Sequence, residues 1–254
     1  MLLVIDVGNT HTVVGIFEGE KIRGHWRIST DFKKTEDEFA MLFKNLLAEQ
    51  AFNYTHIKAV VISCVVPPLI WILLQMSKTY FKVEPIIVNS GINLNINIKT
   101  DYPDELGADR IVNAVAAYNI YGVPAIIIDF GTATTFCALD QHKNYIGGAI
   151  APGIELSSHA LFEKTAKLPE VELIEPKNAI GKNTIQAIQS GVYLGHIGLT
   201  RELVKRFKKE LKGNPQVIAT GGLAELIGRS CPIIDKIDPL LTLRGLKIIY
   251  QLNS

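Results

Sequence analysis

Two stretches of this chain carry one pattern, nearly half its length apart: LVIDVGNTHTVVG over 3–15 and IIIDFGTATTFCAL over 126–139. In each, an apolar run leads to an aspartate (Asp6, Asp129) and a glycine follows two places on (Gly8, Gly131). A threonine then lies near the turn (Thr10, Thr132), and a second apolar run completes the unit. Apolar runs on either side of a glycine turn read as a β-hairpin. A chain of 254 residues has room for two modest domains. The duplicated hairpin therefore predicts two α/β domains built on one plan, over 1–118 and 119–254, with a cleft between them.

The rest of the chain fits that plan. Strands are expected at 2–7, 12–18 and 22–29. Thr35-Glu36-Asp37-Glu38 is a capping box, opening a helix to about Gln50 with Phe39, Leu42, Phe43 and Leu46 on one face. IKAVVIS (57–63) is a buried type of strand, and Pro67-Pro68 starts a helix through LIWILLQMSKTYF. A short strand is expected at 84–88, then an Asn-rich loop over 89–107. A helix follows over about 108–121. Beyond the second hairpin come a strand near 143–150, helices near 154–164 and 183–210, a strand with a glycine turn at VIATGG (217–222), and a closing helix over about 239–252.

Composition narrows the class of partner. The chain is 48% apolar and 20% charged with a formal net charge of +1, so neither nucleic acid nor an anionic membrane is expected as a partner. The first residues, MLLVIDVGNT, have too short an apolar run for a signal peptide, and no apolar stretch is long enough to span a membrane. Cys64, Cys137 and Cys231 are widely spaced and odd in number, which suits structural thiols in a reducing cytoplasm.

Two matched hairpins carry chemistry that one would not. A single D-x-G-x-T is an ordinary tight turn. A hairpin turn without bulky side chains, however, exposes backbone N–H groups that bind phosphate oxygens. Gly8 and Gly131 allow close approach and positive φ, and Thr10, Thr12, Thr132 and Thr134 could add hydroxyl donors. Asp6 and Asp129 end their strands, so their carboxylates suit magnesium on a polyphosphate, directly or through water. VIATGG supplies a third glycine loop of the kind a nucleotide needs.

These features resemble the acetate and sugar kinase/Hsp70/actin superfamily, in which duplicated ribonuclease H-like (actin-like ATPase) domains carry phosphate-binding hairpins. The order DVGNTHTVVG, LGADR (106–110), DFGTATT, GGAIAPG (147–153), NTIQAIQSG (183–191) and ATGG (219–222) is similar to that of the type III pantothenate kinases, over nearly the whole chain. The resemblance implies phosphorylation of the primary hydroxyl of pantothenate by ATP, the first step of coenzyme A biosynthesis. It implies ATP binding by Asp6, Val7, Gly8, Asn9, Thr10, His11, Thr12, Val13 and Thr132, with magnesium accompanying the nucleotide. It also implies a monovalent cation, potassium or ammonium, near Asp129, and a cytoplasmic homodimer with acceptor pockets near the subunit interface.

For the acceptor, Asp109 falls in the first turn of a helix next to Arg110. A carboxylate there can align and deprotonate an alcohol, or merely complement the helix dipole while Arg110 pairs with Asp104 or Glu105. The resemblance assigns Gly107, Ala108, Asp109 and Arg110 to the pantothenate site, with Asp109 the base, and adds Thr184, which otherwise reads as part of a helix cap. Tyr102 is a candidate wall of the same pocket or a loop aromatic covering the core. His159 and His196 read as surface or satisfied groups. Gly191, Gly195 and Gly198 inside a helix suggest close packing within the subunit or against a second one. A kinase of another small alcohol and a non-catalytic regulatory module of the same fold are the alternatives.

Overall fold

In the computed structural model, which describes residues 1–254, the first hairpin joins β1 (Leu2–Val7) antiparallel to β2 (His11–Glu18). Every side chain of β1 is buried except Asp6, which is half-buried, so β1 is a central strand. β3 (Lys21–Ser29) alternates exposed and half-buried residues, as an edge strand does. After α1 (Glu36–Glu49) the chain returns as β4 (Ala59–Cys64), parallel to β1 and wholly buried. α2 (Pro67–Met76) follows and widens into a π turn over Ser77–Phe81, which Lys82 ends with φ at 58°. β5 (Ile86–Ile87) closes the sheet, whose order is β3-β2-β1-β4-β5.

The capping box of α1 forms as its sequence requires. The Glu38 amide donates to Thr35 Oγ1 at 3.4 Å and the Thr35 amide donates to Glu38 Oε2 at 2.8 Å. The buried face of α1 is Phe39, Ala40, Phe43 and Leu47, with Leu42 and Leu46 only partly covered at its margin.

The Asn-rich segment is not wholly irregular. β6 (Asn97–Ile98) lies in it and joins the other sheet, where the Lys99 amide donates to Tyr145 O at 2.8 Å. Then come α3 (Ala108–Tyr121), β7 (Ala125–Phe130), β8 (Ala133–Leu139), β9 (Asn144–Pro152), α4 (Ile154–Glu163), α5 (Thr184–Leu211), β10 (Gln216–Thr220), α6 (Ala224–Gly228) and β11 (Lys236–Ile237). The second sheet runs β11-β10-β7-β8-β9-β6.

The repeat therefore extends beyond its hairpins. β7, β8 and β9 form an antiparallel meander like β1, β2 and β3, and β10 and β11 lie parallel beside β7 as β4 and β5 lie beside β1. Register agrees as well. Asp6 stands between Val13 and Ser63, and Asp129 between Thr135 and Thr220.

The last helix, α7 (Leu241–Asn253), returns to the first sheet. One compact unit comprises Met1–Ile96, Asp101–Asn119 and Leu241–Ser254, and the other Asn97–Thr100 and Ile120–Leu240. The units thus differ from a single cut after residue 118 by the transfer of α7 and β6. α7 buries Leu241, Leu243, Leu246 and Ile249, and an ideal Cβ on its Gly245 would lie 2.5 Å from Val112 O of α3. Only a glycine lets the two helix backbones approach so closely. Each unit has its own apolar core, one around Leu3, Ile5, Phe39 and Ile62, the other around Ile126, Ile128, Phe136 and Val217.

Candidate active site

The first turn is held by a short relay. The Gly8 amide donates to His11 O at 3.0 Å. Thr30 Oγ1 donates to Gly8 O at 2.8 Å and so accepts from Thr12 Oγ1, 2.9 Å away. Neither turn glycine has a positive φ, contrary to expectation. Glycine serves proximity instead: an ideal Cβ would meet His11 O at 3.1 Å from Gly8 and Ala133 O at 3.4 Å from Gly131. The Gly8 amide is occupied in closing the turn.

Strand alternation divides the expected phosphate ligands. Asn9, Thr10, His11 and Thr132 are exposed at the turns, while Val13 is half-buried. Val7 is buried, which limits it to backbone contact. Thr12 and Thr134 are also buried, and their hydroxyls are engaged with Thr30 and with His196 Nε2 at 3.0 Å. The expectation that these two hydroxyls face phosphate is corrected: the pleat turns them inward in both copies. Burial lowers the pKa of His196, whose ring also lies 5.9 Å from that of Phe130, so it is a satisfied core histidine.

In the second unit, Thr132 O accepts from the Gly153 amide at 3.1 Å where α4 begins. An ideal Cβ on Gly153 would fall 2.4 Å from both Gly131 O and Thr132 O. The glycine of the Ala-Pro-Gly segment is thus what lets the α4 entry rest on the hairpin tip. Gly221 does have a positive φ, +94°, and an ideal Cβ there would lie 2.3 Å from Asp129 Oδ1. The glycine turn after β10 therefore presses on the Asp129 carboxylate.

The acceptor segment lies in the first unit at the carboxyl ends of its parallel strands. The Val65 amide, just past β4, donates to Val7 O at 3.0 Å, just past Asp6. Val65 Cγ1 is 3.6 Å from an ideal Cβ on Gly107. Asp6 and the Gly107–Arg110 segment are thereby brought to one end of one sheet, where open α/β sheets bind ligands. Gly107 also explains itself: its missing Cβ would sit 2.6 Å from Asp109 Oδ1. The carboxylate folds back over the glycine, and Asp109 Oδ1 accepts from the Arg110 amide at 2.8 Å. Burial outweighs that bond and the Arg110 charge, raising the Asp109 pKa above its ordinary value of 3.8. Ala108 is buried and Arg110 half-buried.

Tyr102 is 69% exposed, so it does not cover the core and is open to a ligand. Asp104 accepts from Ser90 Oγ at 2.5 Å rather than from Arg110. Thr184 is exposed at the start of α5, and the cap belongs to Asn183, whose Oδ1 accepts from the Gln186 amide at 2.9 Å. Thr184 lies about 18 Å along the helix axis from His196, the α5 residue that touches the second hairpin strand. Within its unit it is therefore not brought to that hairpin. An ideal Cβ at Gly191, Gly195 or Gly198 would meet nothing within 4 Å, so these glycines serve no packing inside the chain.

No group of three or more His, Cys, Asp or Glu side chains is placed to hold a metal ion. The residues fit magnesium only as an ion that phosphate oxygens and water largely coordinate, with Asp6 assisting at its strand end. All three cysteines are buried, and burial pushes the Cys64 thiol up to about 11, which leaves it unreactive. No helix is long and apolar enough to cross a membrane.

The fold is shared with solved structures of low sequence identity. A Campylobacter jejuni protein named for the Baf family of transcriptional activators aligns with TM-score 0.60 and 19% identity over 98% of this chain and 97% of its own. Component A of (R)-2-hydroxyglutaryl-CoA dehydratase from Acidaminococcus fermentans aligns with TM-score 0.55 and 12% identity over 99% and 98%. An ethanolamine utilization protein from Carboxydothermus hydrogenoformans gives TM-score 0.54 and 13% identity over 97% and 89%. The two α/β units thus have the actin-like ATPase architecture that the family resemblance implies. The profile of one sequence family, type III pantothenate kinase, matches residues 2–206, most of the length over which the six motifs are strung. By that match the chain belongs to the type III pantothenate kinase family.

Proposed function

We propose that this protein transfers the γ-phosphoryl group of ATP to the primary hydroxyl of pantothenate, forming 4'-phosphopantothenate, the first step of coenzyme A biosynthesis. Family membership supports the reaction. The observation that carries it is the meeting of Asp6 and the Gly107–Arg110 segment beside Val7 and Val65 in the first unit.

In this reading Asp109 accepts the proton of the attacking hydroxyl. Its burial makes it a stronger base than an exposed aspartate, and its bond from the Arg110 amide fixes its orientation. Arg110 and the amides opening α3 would hold the acceptor's carboxylate, since a helix N-terminus favours anions. Tyr102, exposed in the same unit, adds to the acceptor contacts. In the first unit the exposed turn residues Asn9, Thr10 and His11 would bind phosphate, and in the second unit the exposed Thr132 would do so. Magnesium, held with the help of Asp6, would neutralise the charge that gathers on the phosphate oxygens. Asp129 serves the monovalent cation. The three glycines of α5 face away from their own chain, which supports a homodimer packed on that helix. Three buried cysteines that form no disulfide support a cytoplasmic setting.

The test is ADP release by purified protein with magnesium, potassium and ATP, comparing pantothenate with a panel of small alcohols and acids. Saturable stimulation by pantothenate alone is expected. Stimulation by a sugar instead would reassign the acceptor, and no stimulation by any alcohol would favour a regulatory protein of this fold.

A further inference from the structure

Most buried hydroxyls in this chain have protein partners. Thr12 bonds to Thr30, Thr134 to His196, Ser77 to Leu73 O, and Thr200 to His196 O. Ser63 and Thr220 do not. They are 0% and 1% exposed, and neither hydroxyl finds a hydrogen-bond partner in the protein. A buried polar atom without a partner is uncommon and costly. Here it occurs at equivalent positions of both repeats. Ser63 is the register partner of Asp6 in parallel strand β4, and Thr220 that of Asp129 in parallel strand β10. Register partners on adjacent strands project to the same face of the sheet.

The neighbours sharpen the point. β4 reads AVVISC, where Ser63 interrupts a buried apolar run, and β10 reads QVIAT, where Thr220 ends the buried run Val217–Ala219. Alanine or valine would pack there without the penalty of an unsatisfied oxygen. Beside Thr220, Gly221 has no side chain, and any Cβ would strike Asp129 Oδ1. Each site thus combines a carboxylate at a strand end with a buried hydroxyl beside it, which is a donor and acceptor set for one small oxygen ligand.

We infer that Ser63 and Thr220 are positioning residues. Each hydroxyl, with the aspartate beside it, holds one ordered water that fixes the carboxylate toward the cations of the bound nucleotide. The inference rests on the nucleotide reading of the two hairpins and adds to it the matched pair on the adjoining strands. It explains why the repeat extends to Ser63 and Thr220 although no hairpin motif includes them.

The experiment is calorimetric titration of the full chain with magnesium–ATP and, separately, with pantothenate, for Ser63→Ala, Thr220→Val and Thr220→Ser. The first two are expected to weaken magnesium–ATP binding about tenfold each. Pantothenate affinity should stay within about twofold, and Thr220→Ser, which keeps the hydroxyl, should recover most of the loss. A fall in both affinities together would show general damage and overturn the inference. So would unchanged magnesium–ATP affinity with a raised unfolding temperature, the result expected when a useless buried hydroxyl is removed. A parent protein that binds no magnesium–ATP refutes the nucleotide reading and the inference with it. A parent that binds it, with variants that bind it equally, refutes the inference alone.

Discussion

Gly107→Ala isolates the geometry of the proposed base from its chemistry. The added Cβ would stand 2.6 Å from Asp109 Oδ1. Ordinary contact begins near 3.4 Å, so the carboxylate must retreat by about 0.8 Å. The retreating atom is the tip of a short side chain rather than backbone, and Gly107 has no positive φ to forbid alanine. The change in stability should therefore be small, within about 1 kcal/mol, and stabilisation is allowed because alanine restricts the unfolded chain. The catalytic cost should be large. The retreat breaks the 2.8 Å bond from the Arg110 amide that aims the carboxylate. A misplacement of about 1 Å can cost about 10²-fold. We expect kcat to fall by about that factor, with the unfolding midpoint within about 3 °C of the parent and the Michaelis constant for ATP little changed. Steady-state kinetics and thermal unfolding on one preparation decide it. A folded variant with kcat within threefold of the parent would refute the claim that Gly107 exists to seat Asp109.

Three further predictions concern other parts of the site. Asp109→Asn should lower turnover by about 10²–10⁴-fold yet stabilise the fold. Because burial raises the native pKa of Asp109, the stability it contributes is complete below 3.8 and lost as pH rises through the native value, so the variant's advantage at pH 7 should vanish on acidification below 3.8. Replacing sodium by potassium or ammonium at constant ionic strength should raise the rate strongly, and Asp129→Ala should abolish either activity or that dependence; equal rates in all three salts would remove the ion from the mechanism. A Cβ added at Gly195 meets nothing within 4 Å in its own chain, so Gly195→Leu should fold normally, weaken the proposed dimer by about 1–3 kcal/mol or more and raise the Michaelis constant for pantothenate more than that for ATP. Light scattering with kinetics tests this, and a dimeric variant with unchanged constants would place the interface on another face.

What could be read in advance was what repeats or caps locally. The hairpins at 6–13 and 129–135, the Thr35–Glu38 capping box and the Pro67 helix start each depend on a few adjacent residues. β6 and β11 escaped because two-residue strands have no periodicity; their existence depends on an edge already formed by β9 or β10. The return of α7 to the first sheet was hidden for a related reason. Its amphipathic face says that it packs, whereas Gly245 against Val112 says where, and that contact joins residues far apart in the chain. Within the site, Asp6, Asp109 and the glycines were legible as motifs. The inward turn of Thr12 and Thr134 was not, because one residue of register decides which face a hydroxyl takes. Ser63 lay within an apolar strand and Thr220 inside the ATGG motif, and their equivalence became visible only when β4 paired with β1 and β10 with β7.

The central claim is a phosphoryl transfer to one hydroxyl, and phosphorus NMR of a reaction containing the protein, magnesium, potassium, ATP and pantothenate tests it directly. The account predicts a new phosphomonoester resonance that grows in step with ADP, couples to the methylene protons of the pantothenate primary alcohol, and is lost with Asp109→Asn. Growth of inorganic phosphate alone, or of a phosphoester at the secondary hydroxyl, would contradict it.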